Sequence, residues 1–493
     1  MMGLADSLRE REWLKRPKTT FLILLSAFLF ALLPSFIQRR LRPCEFKPRR
    51  ISPTSWLDGL RGVAAFTVYV NHYTAMNFVR FQRSYGDHEL VEWSSPVQLP
   101  FVRVIFCGLP MVHIFFVISG FALSYKPLRL MRSRKYHELH EALASSIFRR
   151  GFRLFLPVMA STLFVMTVCY MGITSGALPT LAENIWDWWK AIGQITDSWS
   201  WDVLWYPRYD VHLWTIGIEF SHSMLLFVIL MGTSRMRTPL RLGFLFVFVY
   251  YCMRYGRWGP AEFTAGMIIA EFTLIQNEKN AMVEGPLLPR SNSASVKRII
   301  LVIFLLVNLM FALFVAGWPN GDVTVQTGFS FLYRNTPDPF WSIGGNVLIF
   351  PWYALGAVQI VMAAHQIQPI QNLFVTPIAQ YLGDISFSLY LMHGPMQGIL
   401  EWRILPTAWA LVDGTKTAGM WQTTIAWAIG FAMLAPFTIW ISDIFWRFVD
   451  VPSVRFARWL ESLSIHQEPA SGYEPAVGYP HKIKDEGSHR APS

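Results

Sequence analysis

Charge and cysteine are both scarce in this sequence. Asp, Glu, Lys and Arg make up 15% of its 493 residues, against 53% hydrophobic residues, and this balance excludes an ordinary soluble protein. The four cysteines, Cys44, Cys107, Cys169 and Cys252, are scattered without metal-ligand spacing, so we expect free thiols rather than a zinc site or a disulfide framework. The sequence also lacks an N-x-S/T sequon and a G-x-S-x-G elbow, which removes one marker of lumenal loops and weighs against a serine hydrolase.

Long apolar runs take the place of charge, each close to the roughly 20 residues that a helix needs to cross a bilayer. They lie at residues 20–37, 56–73, 108–125, 152–173, 213–232, 241–253, 259–275, 298–317, 343–364, 384–401 and 421–447. The net charge of +11 comes from Lys and Arg beside these runs, so it indicates orientation in a lipid bilayer and no nucleic-acid partner. The sequence therefore predicts an all-α fold, a polytopic transmembrane helical bundle of about ten core helices plus one N-terminal apolar helix.

The chain divides into three parts by composition. Residues 1–51 form an N-terminal basic segment with the extra apolar helix, residues 52–460 a membrane domain, and residues 461–493 a disordered cytoplasmic tail. Lys and Arg accumulate in a loop at 126–153 and again at 447–458, which predicts that this side faces the cytoplasm. Basic residues flank both ends of the N-terminal run, so spanning and lying along the interface both stay open, as does the choice between an endomembrane and the plasma membrane.

The first helix of the membrane domain, predicted over residues 56–73, carries three residues that are expensive to place in a bilayer. Asp58, Arg61 and His72 share one stripe at about 100° per residue. An imidazole can take a proton from a hydroxyl near neutral pH, so His72 is predicted to be a general base; the alternative is a neutral histidine that bridges two helices. Asp58 lies about 21 Å down the helix axis from His72, which leaves Glu219 or a group not yet identified as its partner.

A cluster of arginines follows where a basic loop enters the helix predicted at 152–173. Arg149, Arg150 and Arg153 are three or four residues apart, so at helical spacing they gather on one face. Guanidinium groups bind phosphate oxygens in bidentate pairs, which favours recognition of a multi-phosphate ligand. The alternative is a positive anchor on anionic lipid heads, and the position of the loop leaves both open.

Further polar side chains interrupt the apolar helices. His212, Glu219 and His222 include a Glu-x-x-His pair that can ligate metal in bundles, but the further carboxylates of such sites are missing, so no metal is expected. Glu219 is instead predicted to orient or balance a histidine or arginine elsewhere in the bundle. Hydroxyl and imidazole groups also lie on two strongly apolar runs, where hydroxyls often bond only the preceding turn. They are Ser119, Ser386, Ser388 and His393.

Six strings of this sequence, in order and in spacing, resemble the integral-membrane acyltransferase 3 family and its fungal members most. They are LDGLRGVAAFTVYVNH, FFVISGF, RRGFRLFLP, LWTIGIEF, ISFSLYLMH and VDVPSVRFARW. The resemblance implies a ten-helix membrane domain that moves an acyl group, usually acetyl, from acyl-CoA to a hydroxyl of an acceptor. It places the family's histidine at His72, its first-helix arginine at Arg61, its glutamate at Glu219 and its arginine pair at Arg150 and Arg153.

The predicted reaction joins the residues to the resemblance. Acyl-CoA, by the resemblance acetyl-CoA, would dock its phosphates on Arg150 and Arg153, with Ser119 of the FFVISGF string also assigned to the donor. His72 would remove the proton from a hydroxyl of a carbohydrate, lipid or secondary-metabolite acceptor. Arg61 would hold the neighbours of His72 or stabilise the oxyanion, and Glu219 would support the imidazolium.

Two positions depart from the family strings: His113 stands where an acidic residue is common, and Met392 where a tryptophan is common. The competing interpretation is a polytopic transporter or lipid-handling protein whose buried charges form a relay. Another polytopic O-acyltransferase and a member without catalytic activity are further alternatives.

Overall fold

The computed structural model describes residues 17–45, 49, 51–87, 94–199, 206–283, 292–321, 323, 326, 328–414 and 419–464. Within these ranges the regular elements are all helical, and no strand occurs among them. The prediction of an all-α bundle is confirmed.

Fourteen helices organise the described chain. They are α1 (Pro17–Leu32), α2 (Ser35–Leu41), α3 (Ser55–Asn77), α4 (Leu109–Arg132), α5 (Tyr136–Tyr170), α6 (Leu181–Thr196), α7 (Trp214–Gly232), α8 (Thr238–Arg254), α9 (Trp258–Val283), α10 (Asn292–Ala316), α11 (Phe350–Gln366), α12 (Pro377–Ala410), α13 (Met420–Phe445) and α14 (Val451–Ser464). Shorter helical segments join them at Pro100–Arg103, Phe329–Arg334, Asp338–Ile343 and Gln368–Phe374, and a π-helical turn, Trp446–Asp450, links α13 to α14.

Six stretches are long and apolar enough to cross a membrane. They are Leu109–Arg132, Tyr136–Tyr170, Val211–Gly232, Ile299–Ala316, Gly345–Gln366 and Met420–Ser464. The protein is therefore a multi-pass membrane protein, while the count of about ten spans stays a prediction. α3 has 23 residues, which is long enough, but Asp58, Arg61 and His72 lower its hydropathy. The residues that make α3 interesting are the ones that hide it from a hydropathy criterion.

α3 packs along α12, and glycines set how closely the two helices approach. A Cβ on Gly62 would lie 2.3 Å from the backbone nitrogen of Gly383, and a Cβ on Gly383 would lie 2.5 Å from the carbonyl oxygen of Asp58. Small residues at such positions let two backbones meet in a membrane bundle. Farther along, Gln397 Nε2 donates to the carbonyl oxygen of Tyr69, so the two helices run parallel.

A second close pair is α4 with α9, which also run side by side in the same direction. A Cβ on Gly120 would lie 2.1 Å from the carbonyl oxygen of Phe263, and one on Gly266 would lie 2.2 Å from that of Val117. These two closely packed helix pairs form the centre of the bundle, and they carry many of the residues described below.

The predicted loop at 126–153 is wrong as a loop, because most of it is helical. α4 continues to Arg132 and α5 begins at Tyr136, so only three residues separate them. Hydropathy detects the part of a helix that lies in lipid, whereas the polar string YHELHEALASS is rich in Glu, Leu and Ala, which are strong helix formers. α5 therefore extends beyond its apolar part by several turns.

The N-terminal apolar run is two helices rather than one. Pro34 separates α1 from α2, and the continuous apolar helix is Phe21–Leu32, shorter than a span requires. The junction is fixed to α13: Asp443 accepts hydrogen bonds from the Ser35 amide and hydroxyl, and Arg447 donates to the carbonyl oxygens of Ala31 and Leu33. The extra segment is thus docked on the membrane domain.

At the other terminus α14 continues to Ser464, four residues into the region predicted as a tail, and the remainder of residues 461–493 lies outside the described part of the chain. The four cysteines are free thiols, as expected, with Cys44 exposed and the other three buried.

Candidate functional site

A cavity of about 570 Å³ opens inside the bundle, a volume in the range of small-molecule sites. Helices α3, α4, α5, α7 and α12 surround it, and the π-helical turn and α14 close one side. It brings together five of the six sequence-predicted site residues, namely Arg61, Ser119, Arg150, Arg153 and Glu219. The sixth, His72, is not among the lining residues.

Arg61 lies on the α3 wall of the cavity, where its guanidinium group donates to Ser386, Asp58 and the carbonyl oxygen of Gly383. Its Nε donates to Ser386 Oγ at 3.0 Å, and its Nη2 donates to Asp58 Oδ1 at 3.3 Å. Ser386 is carried by α12, so this contact ties together the two helices that meet at Gly62. The carboxylate of Asp58 is engaged by Arg61, in line with its distance from His72.

Arg150 and Glu219 form an ion pair across α5 and α7. Arg150 Nη2 donates to Glu219 Oε1, and Arg150 Nε donates to Ser223 Oγ at 3.0 Å. Both side chains are mostly buried, with exposed fractions of 9% and 15%. The geometry therefore gives Glu219 an arginine as its partner, one of the two possibilities that the sequence left for it.

Three other arginines face the cavity with no hydrogen-bonded carboxylate in the described ranges. They are Arg153 on α5 and Arg455 and Arg458 on α14. Of the acids that line the cavity, Glu219 pairs with Arg150, and Asp384 Oδ2 lies 2.8 Å from Arg49 Nη1. Asp450 also lines the cavity and attracts Arg153 and Arg61 electrostatically, with no hydrogen bond to either among the described residues. Guanidinium groups in this state are available for phosphate oxygens.

The cavity ends against a polar floor. Tyr390 and Thr215 line it, and their hydroxyl oxygens are hydrogen-bonded to each other at 2.7 Å. The Tyr390 hydroxyl also donates to the carbonyl oxygen of His212. Tyr390 therefore contacts both the arginine-lined cavity and the group of residues that contains His72.

That group is a cluster of three histidines from three segments of the chain. His72 comes from α3, His393 from α12, and His212 from the 3-10 turn Val211–Leu213 that leads into α7. The ring centroids of His72 and His212 are 4.0 Å apart, those of His212 and His393 4.6 Å, and those of His72 and His393 5.3 Å. One nitrogen from each ring lies within 4.8 Å of the others, a spacing that would also suit a transition-metal ion.

Asp210 supports this cluster from outside. Its Oδ1 accepts from His212 Nδ1 at 2.6 Å and from the His212 backbone amide at 2.9 Å. Gly394 leaves the room that this pair needs, because a Cβ there would lie 2.6 Å from His212 Nδ1. Sequence reasoning missed Asp210 and separated His212 from His393, since helical spacing relates residues on one helix and the meeting of three segments depends on the packed fold.

The remaining polar residues singled out in the sequence lie apart from the cavity lining. His222 Nδ1 donates to the Ile218 carbonyl oxygen, and the ring borders a different cavity of about 630 Å³. His113 Nδ1 lies 2.5 Å from Glu262 Oε1, both fully buried between α4 and α9. A carboxylate is thus present beside position 113, supplied by α9 instead of α4.

Fold and site together define a multi-pass helical membrane protein with an arginine-lined cavity inside the bundle. The acyltransferase domain model Acyl_transf_3 matches residues 54–447, which include α3 to α13 and every cavity arginine except the two of α14. The chain belongs to this acyltransferase 3 family and is a membrane acyltransferase, so it uses an acyl donor.

Curated fungal proteins are similar over nearly the whole chain. The O-acetyltransferase PaAT-1 of Phomopsis amygdali is 30% identical over 468 residues, 89% of this chain and 90% of that protein. Acyltransferase R4 of a Phoma species is 25% identical, covering 85% of this chain and 97% of the relative, and acyltransferase clz18 of Cochliobolus lunatus is 25% identical, covering 81% and 94%. No solved structure matches the chain.

Proposed function

We propose that this protein is an O-acyltransferase that moves an acyl group, with acetyl as the first candidate, from acyl-CoA to a hydroxyl of a carbohydrate, lipid or secondary-metabolite acceptor. The observation that carries the proposal is the pairing of an arginine-lined cavity with a histidine cluster across Tyr390. The name of the relative PaAT-1, an O-acetyltransferase, favours acetyl as the group transferred.

The donor end of the proposal rests on charge. The phosphates of CoA would bind Arg153, Arg455 and Arg458, whose guanidinium groups have no hydrogen-bonded carboxylate among the described residues. Arg150 lines the same cavity and contributes positive potential although Glu219 already engages it. Ser119 on the α4 wall offers a hydroxyl to the pantetheine chain, whose amides are hydrogen-bonding groups. The same basic residues predict that the donor enters from the cytoplasm.

At the acceptor end, His72 would act as the general base. It takes the proton of the acceptor hydroxyl, the hydroxyl oxygen forms a bond to the thioester carbonyl carbon, and the carbon–sulfur bond breaks. CoA leaves as the thiolate with the electron pair of that bond and takes up the proton that His72 carries. Ester and free CoA thiol are the products, and no metal enters the balance.

Arg61 has a different place in the proposal from His72. Its guanidinium group holds Ser386 and Asp58, and it lies roughly 16 Å along the helix axis from His72 at 1.5 Å per residue. This arrangement supports a role at the donor end, where Arg61 keeps α3 and α12 in register beside the thioester arm.

The test is to give acetyl-labelled acetyl-CoA to membranes that contain the wild type, His72→Ala or His72→Gln. The wild type is expected to transfer label to an extractable product that mild alkali cleaves, as an ester requires, and to release CoA thiol in equal amount. Both variants should fall by about 10²- to 10⁴-fold, the usual contribution of a general base. A folded variant that transfers label at the wild-type rate overturns the proposal, and so does solute movement without loss of thioester, which a transporter would show.

A further inference from the structure

His72 has no hydrogen-bonded carboxylate among the residues that the structure describes. Asp58 pairs with Arg61 and Glu219 pairs with Arg150, both at the arginine-lined cavity, which is called the donor cavity from here on. No hydrogen bond to a described residue fixes the His72 ring, which instead packs edge-on against His212 and stacks on His393. A general base in a bilayer needs a group that accepts the charge it acquires, because an isolated imidazolium there is costly.

The hydrogen bonds of the two neighbouring histidines determine which of their nitrogens carry a proton. His212 Nδ1 carries a proton, because it lies 2.6 Å from the carboxylate of Asp210, so Nε2 is left with a lone pair. His393 Nδ1 donates to the Leu389 carbonyl oxygen at 3.1 Å, and its buried Nε2 has no partner among the described residues. Each of the two rings therefore keeps Nε2 as an acceptor, and one nitrogen of each of the three rings lies within 4.8 Å of the others.

Asp210 is built into this position. Its side chain is 3% exposed, one oxygen is used twice by His212, and the other oxygen is buried without a partner within the described ranges. A buried carboxylate with spare capacity beside a histidine stabilises positive charge on that histidine and its hydrogen-bonded neighbours. Asp210 also caps the 3-10 turn Val211–Leu213 that leads into α7. Because its side chain accepts from both the backbone amide and the ring of His212, it fixes the direction of that ring.

We propose that Asp210 and His212 form a positioning pair for His72, and that they supply the anionic partner which the reaction requires. This inference rests on the proposed function. When His72 takes the acceptor proton at one nitrogen, its other N–H donates to Nε2 of His212, and Asp210 balances the resulting charge through His212 Nδ1. One nitrogen of His72 already lies within 4.8 Å of a nitrogen of His212, so a rotation of the His72 ring is enough to form this hydrogen bond. No bond other than those of the acyl transfer is made or broken.

The experiment compares acyl transfer by Asp210→Asn and His212→Gln with the wild type over a range of acyl-CoA concentrations. Both variants are expected to lower kcat by at least about tenfold, as removal of a group that orients a catalytic histidine does, while the KM for acyl-CoA stays within about twofold. In a His72→Ala background, Asp210→Asn should cause no further loss, because its effect passes through His72.

A matched control is Asp187→Asn. Asp187 accepts from the Tyr209 hydroxyl at 2.7 Å and pairs with Arg208, so this change loosens the segment next to Asp210 without touching a histidine. It should leave kcat near the wild-type value. The inference is overturned if Asp187→Asn matches Asp210→Asn, if Asp210→Asn is fully active, or if the purified protein holds a stoichiometric metal ion that His212→Gln removes. An inactive His72→Ala with an active Asp210→Asn overturns only the inference, whereas an active His72→Ala overturns the proposed function itself.

Discussion

Single residues in the donor cavity combine structural and functional roles, and Arg150 is the clearest case. From α5, its guanidinium group donates to Glu219 and Ser223 on α7. Arg150 also lines the cavity that is proposed to bind the CoA phosphates. Removal of one member of such a mostly buried ion pair leaves a charge with no partner, which typically costs about 3 kcal/mol or more. Replacement of both members by neutral groups of similar shape costs much less.

Glu219→Gln should therefore lower the melting temperature of the detergent-purified protein, and Glu219→Gln with Arg150→Gln should recover most of that loss. The double variant should still bind acyl-CoA more weakly, because a guanidinium group has left the cavity. Thermal unfolding gives the stability, and the KM for acyl-CoA gives the binding. A double variant that is as unstable as Glu219→Gln alone would show that the pair has no structural coupling.

The residues also show what a sequence can and cannot reveal. His72, Arg61 and Glu219 could be singled out because an ionisable group in an apolar run is costly and therefore conspicuous. Asp210 could not, because it precedes an apolar run in a polar loop, where acids are common. Arg455 and Arg458 were recognised only as charges beside a membrane, since nothing in their spacing shows that α14 folds back onto the cavity.

At the scale of elements, the close contact of α3 with α12 positions both ends of the site. α3 carries Arg61 and His72, and α12 carries Ser386 and His393, so their register sets the relation between the donor cavity and the histidine cluster. The sequence predicts both helices from their apolar runs. Their close contact depends on glycines, and the sequence alone does not show which helix packs against a given glycine.

Gly62→Ala should separate these helices, because the new Cβ would lie 2.3 Å from the Gly383 backbone nitrogen and neither backbone can yield. We expect the free energy of unfolding to fall by about 1 to 3 kcal/mol, the usual cost of overpacking. The acyl-transfer rate should fall by more than this loss of folded protein explains. Gly398→Ala on the same α12 is the control, because a Cβ there meets open space and alanine is the better helix former. Equal effects of the two substitutions on thermal stability would contradict the packing account.

For the whole molecule, the orientation in the membrane decides where the donor enters. The distribution of positive charge predicts that the basic linker at residues 39–50, the start of α3 and the mouth of the cavity lie on the cytoplasmic side. The chain carries its own probe of this prediction, since Cys44 in that linker is the one exposed thiol of its four cysteines.

In sealed vesicles whose cytoplasmic face points outward, a membrane-impermeant maleimide should therefore label Cys44 without any opening of the membranes. Cys44→Ser should abolish labelling. Ser175→Cys in that background, in the exposed turn after α5, should be labelled only after the vesicles are opened. Labelling of Cys44 from the lumenal or extracellular side would place the donor cavity on the wrong side for cytoplasmic acyl-CoA.

In the proposed function the arginine-lined cavity binds the donor and the histidine cluster takes the acceptor proton. The dependence of the acyl-transfer rate on acyl-CoA concentration distinguishes these two roles. Arg153→Gln should raise the KM for acyl-CoA about tenfold with little change in kcat, because one charge-assisted phosphate contact is lost. His72→Ala should lower kcat with little change in KM. Arg149→Gln is the matched control, since Arg149 pairs with Glu461 outside the cavity and should behave as wild type. The proposal is contradicted if Arg153→Gln leaves the KM for acyl-CoA at the wild-type value, as Arg149→Gln should. It is also contradicted if His72→Ala alters KM and leaves kcat unchanged.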